Sequence, residues 1–241
     1  MRLDKFLSHS LRMSRNDVLT IIKEKRVAVN DTIIRKKDYK IDEINDAIKV
    51  DSKLIKYKPF VYYMLNKPKG YVSARIDNID KTVVELIDTD YKISPIGRLD
   101  KDTTGLLLLT NDGSLIHDLI SPVNNVKKKY VVECDKELEE NEMFLFENGI
   151  EILDGDGVLF RTKPASIKKI DSYKYEVEIE EGKFHQVKRM FKYFNSNVLE
   201  LNRICFASIK LDSNLKIGEY RELTEYEITK LKGVKEKTLT R

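Results

Sequence analysis

Residues 97–113 read GRLDKDTTGLLLLTNDG. At the centre are four consecutive leucines, Leu106 to Leu109, bounded on both sides by turn formers. So short an apolar run with such borders predicts a strand buried on both faces, not a helix. Thr103-Thr104-Gly105 leads into it and Asn111-Asp112-Gly113 turns the chain out. On the approach to this anchor stand Arg98 and Asp100. A carboxylate and a guanidinium held beside a rigid strand are what a positioned nucleophile and its substrate clamp require. Taken alone, the residues favour a surface turn carrying an Asp–Arg pair.

Two motifs compete for the same letters. Asp100, Asp102 and Thr104 spell D-x-D-x-T, the pattern of phosphotransferases that form an aspartyl-phosphate. That pattern follows an apolar strand directly, whereas Pro95-Ile96-Gly97-Arg98 precedes it here, so the phosphotransferase stays open as a rival. The letters also imitate an EF-hand loop. Its twelfth position would be Asn111 where a bidentate Glu is required, and leucines fill positions seven to ten, which excludes calcium. The whole stretch is similar, without a gap, to the G-R-L-D-x-D-T-x-G-L-L-L-L-T-N-D-G signature of RsuA-type pseudouridine synthases, which modify bacterial ribosomal RNA. The resemblance implies Asp100 as the catalytic carboxylate, the nucleophile on a uridine flipped out of its stack. It also implies no cofactor and no metal.

A second stretch, Glu181 to Met190, reads EGKFHQVKRM. Tyr173 to Ile179 before it alternates as a half-buried strand does, and Gly182 breaks that strand. From Gln186 to Phe194 the period becomes helical, with Val187, Met190, Phe191 and Phe194 on the apolar face. Lys188 and Arg189 sit near the helix start, where a cation gains nothing from the dipole, so an anion is expected to face them. This stretch resembles the family motif G-[KR]-x-[HR]-Q-[VI]-[KR]-R-M, in which the basic residue at Lys188 pairs with the catalytic aspartate. Lys183, His185, Gln186 and Arg189 are its RNA-facing residues. The H-Q-V-K-R-M form is closer to the small-subunit enzymes than to their large-subunit relatives, implying 16S rRNA, with 23S rRNA as the alternative. Lys128-Lys129-Tyr130-Val131-Val132 is similar to the family's K-x-Y-x-V, which places Tyr130 in the active site; a Tyr opening a strand is otherwise a packing residue. Arg98, two residues before Asp100, suits filling the vacated stack and holding phosphate.

The N-terminal quarter has another character. Residues 1–58 carry 15 lysines and arginines against 9 acids, while the rest of the chain has 29 against 31. The entire net positive charge therefore lies in a short module, as expected of one that meets a polyanion. Leu3, Phe6 and Leu7 make one face of a first helix, and Ser14 caps a second whose apolar face is Val18, Ile21 and Ile22. Val27–Val29, Asn30-Asp31 and Thr32–Ile34 read as strand, turn, strand, with a basic rim at Arg35-Lys36-Lys37. Two small helices and a basic hairpin resemble the S-four-type RNA-binding module, whose R-L-D-K opening and V-x-V-N-[GD] hairpin are both present. Lys25 stands where that module usually has Gly, and Asp31 where Gly is commonest. Its expected RNA contacts are Arg2, Lys5, Arg15, Lys25 and Arg26.

Between these landmarks, Asp51–Pro59 reads as a linker, Val61–Leu65 as a strand and Asn66–Gly70 as its turn. Lys81–Leu86 reads as a short helix. Ser114 is expected to cap a helix that turns Leu115, Ile116, Leu119 and Ile120 inward, and Glu137–Phe146 to form another that Gly149 ends. Asp154-Gly155-Asp156-Gly157 is a hairpin turn, and Thr224 caps a final helix before a polar, frayed tail over Lys232–Arg241.

With 241 residues and 41% hydrophobic content, the chain has material for two modest domains. Two cysteines and three scattered histidines give neither a disulfide framework nor a metal cluster. No signal-like leader and no apolar run of membrane length is present, so a reducing cytoplasm, no membrane and a monomer are expected. The expected fold is α+β: an S-four-like RNA-binding domain over 1–58, then a catalytic domain over 59–241 with a mostly antiparallel mixed sheet flanked by helices. The implied activity is isomerisation of one uridine in 16S rRNA, free or within a ribosome-assembly intermediate. A non-catalytic rRNA-binding protein on the same fold is the alternative of a different class.

Overall fold

The computed structural model describes residues 1–11, 13–43, 45–55 and 58–233. The chain divides into two compact units, 1–60 and 61–241.

In the first unit, α1 (Leu3–Ser10) and α2 (Arg15–Lys23) precede β1 (Val27–Val29), β2 (Thr32–Ile33), β3 (Ile48–Val50) and β4 (Lys53–Leu54). The strands form an antiparallel sheet in the order β2-β1-β3-β4. Leu3, Phe6 and Leu7 of α1 and Val18, Ile21 and Ile22 of α2 are buried together with Val27, Val29, Ile48 and Val50, as the helical and strand periods require. The Ser14 hydroxyl accepts from the Asp17 N–H, and donates to the Asp17 carboxylate where a full capping box would send that carboxylate back to the backbone. Asn30 and Asp31 both adopt positive φ, 48° and 64°, the geometry a two-residue hairpin demands. Lys25, where the resembling module has Gly, also lies in the left-handed region at φ 64°. The linker expected from Asp51 is in its first half another hairpin: Asp51 and Ser52 turn β3 into β4, whose two residues are both exposed. A strand with no buried side chain leaves only a polar composition to read.

The second unit contains β5 (Tyr62–Lys67), β6 (Ser94–Pro95), β7 (Thr104–Thr110), α3 (Gly113–Ile120), β8 (Lys128–Cys134), α4 (Glu140–Asn148), β9 (Glu151–Leu153), β10 (Leu159–Arg161), β11 (Ser166–Asp171), β12 (Lys174–Ile179), α5 (Gln186–Tyr193), β13 (Val198–Phe206), β14 (Ile209–Lys210), β15 (Tyr220–Glu222) and α6 (Glu225–Lys232). Its main sheet runs β11-β12-β8-β13-β7-β5-β15, with β14 on β13 and β6 on β7. Among the described strands only β13 and β7 pair in parallel; the other strand pairings are antiparallel. The fold is the α+β arrangement expected. Leu106 and Leu108 bury in one core with Leu115 and Leu119 of α3, while Leu107 and Leu109 bury in the other with Val187, Met190 and Phe191 of α5. The leucine strand is thus the wall between two cores.

Several local expectations are corrected. Asp112, not Ser114, caps α3 by accepting from the Leu115 N–H, and Ile120 is exposed. The turn expected at Asn66 starts later, because Asn66 and Lys67 continue β5 and pair with Leu106 and Gly105. Lys81–Leu86 shortens to a 3-10 turn over Val83–Leu86. Thr224 caps α6 through a reciprocal box with Glu227; of the tail, residues 234–241 lie outside those described.

Candidate active site

The loop between β6 and β7 carries Asp100, and its backbone is held from the inside. Lys67, at the end of β5, is 0% exposed. Its Nζ donates to the carbonyls of Asp100 at 3.0 Å, Thr103 at 2.9 Å, Pro68 at 3.0 Å and Lys101 at 3.4 Å. The Ser73 hydroxyl donates to the Leu99 carbonyl at 2.8 Å and accepts from its N–H at 2.9 Å. Leu99 points into the core, and the next side chain, Asp100, emerges at the surface of a cleft. Burial pushes Lys67 down to about 8, against the opposing pull of Asp100 and Asp102. A buried ammonium wrapped in carbonyls is a costly device, and it fixes the backbone of one loop.

From the other side, α5 delivers Lys188. Its Nζ lies 3.0 Å from Asp100 Oδ2 and 2.6 Å from Asp102 Oδ1. The ion pair expected for Lys188 is present, and it is shared between two carboxylates. Burial works against the Lys188 charge, but the hydrogen bonds it donates to Asp102 and Asp100 raise its pKa above the ordinary value. Asp102 shows the same contest: burial pushes it up, and the Lys188 contact holds it below the usual carboxylate range. His185 Nε2 stands 3.5 Å from Asp100 Oδ1, at the N-cap of α5 with φ 52°. Arg98 is exposed at the cleft and makes no ion pair or hydrogen bond with another described residue, so Asp100 finds its partner in Lys188 instead.

The cleft has a volume of about 490 Å³ and is lined by Arg98, Asp100, Lys128, Tyr130, Val187 and Arg203 among others. Tyr130 is buried on β8, facing Val177 on one side and Arg203 on the other. Arg203 is 1% exposed; its Nε donates to the Leu106 carbonyl at 2.8 Å, and its guanidinium lies 5.0 Å from the Phe206 ring. Burial lowers its pKa, with the adjacent Tyr130 favouring the charged form. Lys128 donates to the Val126 carbonyl at 2.7 Å and is pushed down to about 8, by burial first and the Arg203 charge second.

The remaining motif residues divide. Gln186 is buried, and its amide serves the turn: it donates to Glu181 at 2.6 Å and accepts from the Lys183 N–H at 2.9 Å. Arg189 donates to the Leu153 carbonyl at 2.8 Å, tying α5 to β9. Lys183 lies over the Phe160 ring at 3.5 Å and is exposed. In the first unit Lys5, Arg15 and Lys25 are exposed without an ion-pair partner among the described residues. Arg2 pairs with Asp4 at 2.6 Å, and Arg26 with Asp51 at 2.7 Å and Glu24 at 3.0 Å. Lys67, Ser73 and Arg203 escape the sequence reading as site residues, and Lys128 stood there only as the opening lysine of the K-x-Y-x-V stretch. Only Lys67 left a signal there, as a lysine inside an apolar strand run just before a proline. Among the described residues no group of three or more His, Cys, Asp or Glu could hold a metal ion, and no helix is long and apolar enough to cross a membrane.

The profile of the RNA pseudouridylate synthase family matches residues 61–193, and that of the S4 domain matches residues 1–48. The chain is 39% identical over 235 residues to the Bacillus subtilis RNA pseudouridine synthase YtzG, covering 95% of this chain and 97% of that one. It is 37% identical over 230 residues to the ribosomal small subunit pseudouridine synthase A of Escherichia coli, covering 95% and 98%. A crystal structure of a pseudouridylate synthase superposes with a TM-score of 0.68 at 35% identity, over 96% of this chain and 99% of that one. The carboxylate–lysine cleft on this sheet, joined to an S4 domain, belongs to a member of the RNA pseudouridylate synthase family.

Proposed function

We propose that this protein isomerises one uridine of 16S ribosomal RNA to pseudouridine, with Asp100 as the nucleophile. The observation that carries the reading is the position of Asp100: a carboxylate on an internally clamped loop, neutralised by Lys188, at a cleft large enough for a single base. The small-subunit name of the E. coli relative supports the choice of 16S rRNA over 23S rRNA.

A uridine in folded RNA must leave its stack, at a cost of a few kcal/mol. Exposed Arg98 at the cleft takes the vacated space and holds the flanking phosphate. The Tyr130 ring packs on the uracil, and Asp100 is presented as a carboxylate by Lys188. Lys183 and His185 meet the RNA directly; Gln186 and Arg189 act by holding the turn and the helix that present them. In the N-terminal domain, proposed as residues 1–58 ahead of a catalytic domain over 59–241, Arg2, Lys5, Arg15, Lys25 and Arg26 contact phosphates and add affinity without reading sequence. The same proposal places the enzyme in the cytoplasm as a monomer that works without metal or cofactor, on rRNA free or in an assembly intermediate.

Tritium release from C5-labelled uridine in 16S rRNA, without added metal, tests it, with carbodiimide mapping to locate the product. Release from 16S rRNA at one position is expected. Release from 23S rRNA alone would move the target, and release from neither, bare or in ribosomal particles, would leave an RNA-binding protein.

A further inference from the structure

The rim of the cleft carries an exposed aromatic ring. Phe184, in the turn between β12 and α5, is 60% exposed and stands between Lys183 and His185 in the chain. Its ring stacks on the His185 imidazole, with centroids 3.8 Å apart and planes 18° from parallel. His185 Nε2 in turn lies 3.5 Å from Asp100 Oδ1. Two stacked rings therefore lead from the catalytic carboxylate out of the cleft. His185 lines that cleft, and Phe184 is the next ring outward.

This stack has a fixed frame. Consecutive side chains of a strand point to opposite faces; the left-handed conformation of His185, φ 52°, breaks that alternation where the two rings come together. Gly155, at the tip of the β9–β10 hairpin, approaches so closely that a Cβ there would come to 3.2 Å from Phe184. Arg189 lies 5.4 Å from the ring centre and anchors α5 to β9 through the Leu153 carbonyl. Lys183 Nζ sits 3.5 Å over the Phe160 ring and 3.9 Å from Asp154. Cations set among exposed rings suit an unpaired nucleotide, whose base takes the ring face and whose phosphate takes the charge. A protein partner would call for a contiguous apolar patch, whereas charged and polar neighbours flank this ring in sequence and in space.

Connectivity says which nucleotide reaches it. A uridine that leaves its stack uncovers a face of each neighbouring base. The strand carries those neighbours across the mouth of the cleft, one residue beyond the target, which is the side on which Phe184 lies relative to Asp100 and His185. We propose that Phe184 is a stacking shelf for the base next to the target uridine, so that the enzyme takes its uridine from an unpaired segment. Every base has a π face, so the shelf reads strand structure and not sequence. This deepens the reading of the protein as a uridine isomerase and rests on it.

Filter binding tests it on the full chain and its Phe184→Ala, Phe184→Leu and Phe184→Tyr variants. The ligands are a 16S rRNA transcript and a synthetic fragment spanning the modified uridine, intact or with an abasic residue at either neighbouring position. Phe184→Ala is expected to weaken binding of the intact RNAs about 5- to 150-fold. Phe184→Leu, which keeps apolar bulk without a π face, should share the loss, and Phe184→Tyr should restore most of the affinity. An abasic residue at one of the two neighbours should cost wild type a similar factor and cost Phe184→Ala nothing further, as for two groups that act on each other. Wild-type affinity in Phe184→Ala would overturn the proposal. So would full affinity in Phe184→Leu, which would make the ring a packing residue, or an abasic loss as large in Phe184→Ala as in wild type. Loss in Phe184→Ala and Phe184→Leu but not Phe184→Tyr on the transcript, with a wild type that releases no tritium, would keep the shelf and remove the isomerase reading.

Discussion

Replacing Lys67 by Met keeps the shape of the side chain and removes the ammonium that clamps the Asp100 loop. Three of its four carbonyl contacts lie at 3.0 Å or less. Hydrogen bonds from a charged donor are worth about 1.5–3 kcal/mol each, so roughly 5–9 kcal/mol of interaction is lost. Against this stands the burial of the charge: a lysine held at about 8 instead of 10.5 opposes folding by about 3 kcal/mol at neutral pH. Lys67→Met is therefore expected to destabilise the catalytic unit by about 2–6 kcal/mol. Above pH 8 the sign can be checked. The folded-state pKa is depressed, so the unfolded chain binds the extra proton between about 8 and 10.5, and wild type gains stability there as pH rises. The variant lacks that gain, and its deficit should widen. Urea unfolding followed by circular dichroism at pH 7 and pH 9.5 measures both quantities. Tritium release should fall about 100-fold even below the transition, because an ångström of freedom in a nucleophile's loop is enough for that. Wild-type stability and activity in Lys67→Met would refute the clamp.

Gly105 adopts φ 100° where β7 meets β13, and a Cβ there would strike the Asn202 side chain and the Arg203 backbone. Gly105→Ala should cost about 3 kcal/mol or more in urea unfolding, against about 1 kcal/mol for Gly157→Ala, which shares the positive φ but has open space around it. Lys25→Gly removes strain at φ 64° from an exposed residue and should stabilise the N-terminal unit by up to about 1 kcal/mol, read by thermal melting. Glu227, held at about 2 by Arg221, stabilises α6 above its ordinary pKa near 4.5 and stops doing so as pH falls towards 2. Glu227→Gln should lose about 1–3 kcal/mol at neutral pH and nothing near pH 2.

Patterned features of the fold were legible in the sequence. The leucine run could only be a two-sided strand, and it became the wall between the two cores. The apolar faces of α1, α2 and α5 follow from helical spacing, and all their named residues are buried. The meeting of Lys188 with Asp100 needed the family resemblance, since 88 positions of sequence separate a loop from a helix start and no local rule joins them. Its second carboxylate, Asp102, was read as a letter of the competing motifs and of the family signature, with no partner assigned to it. The burial of Lys67, Lys128 and Arg203 was hidden for another reason. Composition treats a lysine or arginine as solvated surface, and only three-dimensional packing reveals that Lys67 and Arg203 are buried and Lys128 half-buried. Exposed β4 was lost in the polar composition taken for a linker, while Asp112 displaced Ser114 as a cap because both are good acceptors two residues apart.

The central claim is that Asp100, presented by Lys188, carries the reaction. Asp100→Asn preserves the size of the side chain while removing its charge. Single-turnover tritium release from C5-labelled 16S rRNA should fall below detection, with the RNA Kd unchanged. Release from that variant at the wild-type rate would contradict the claim.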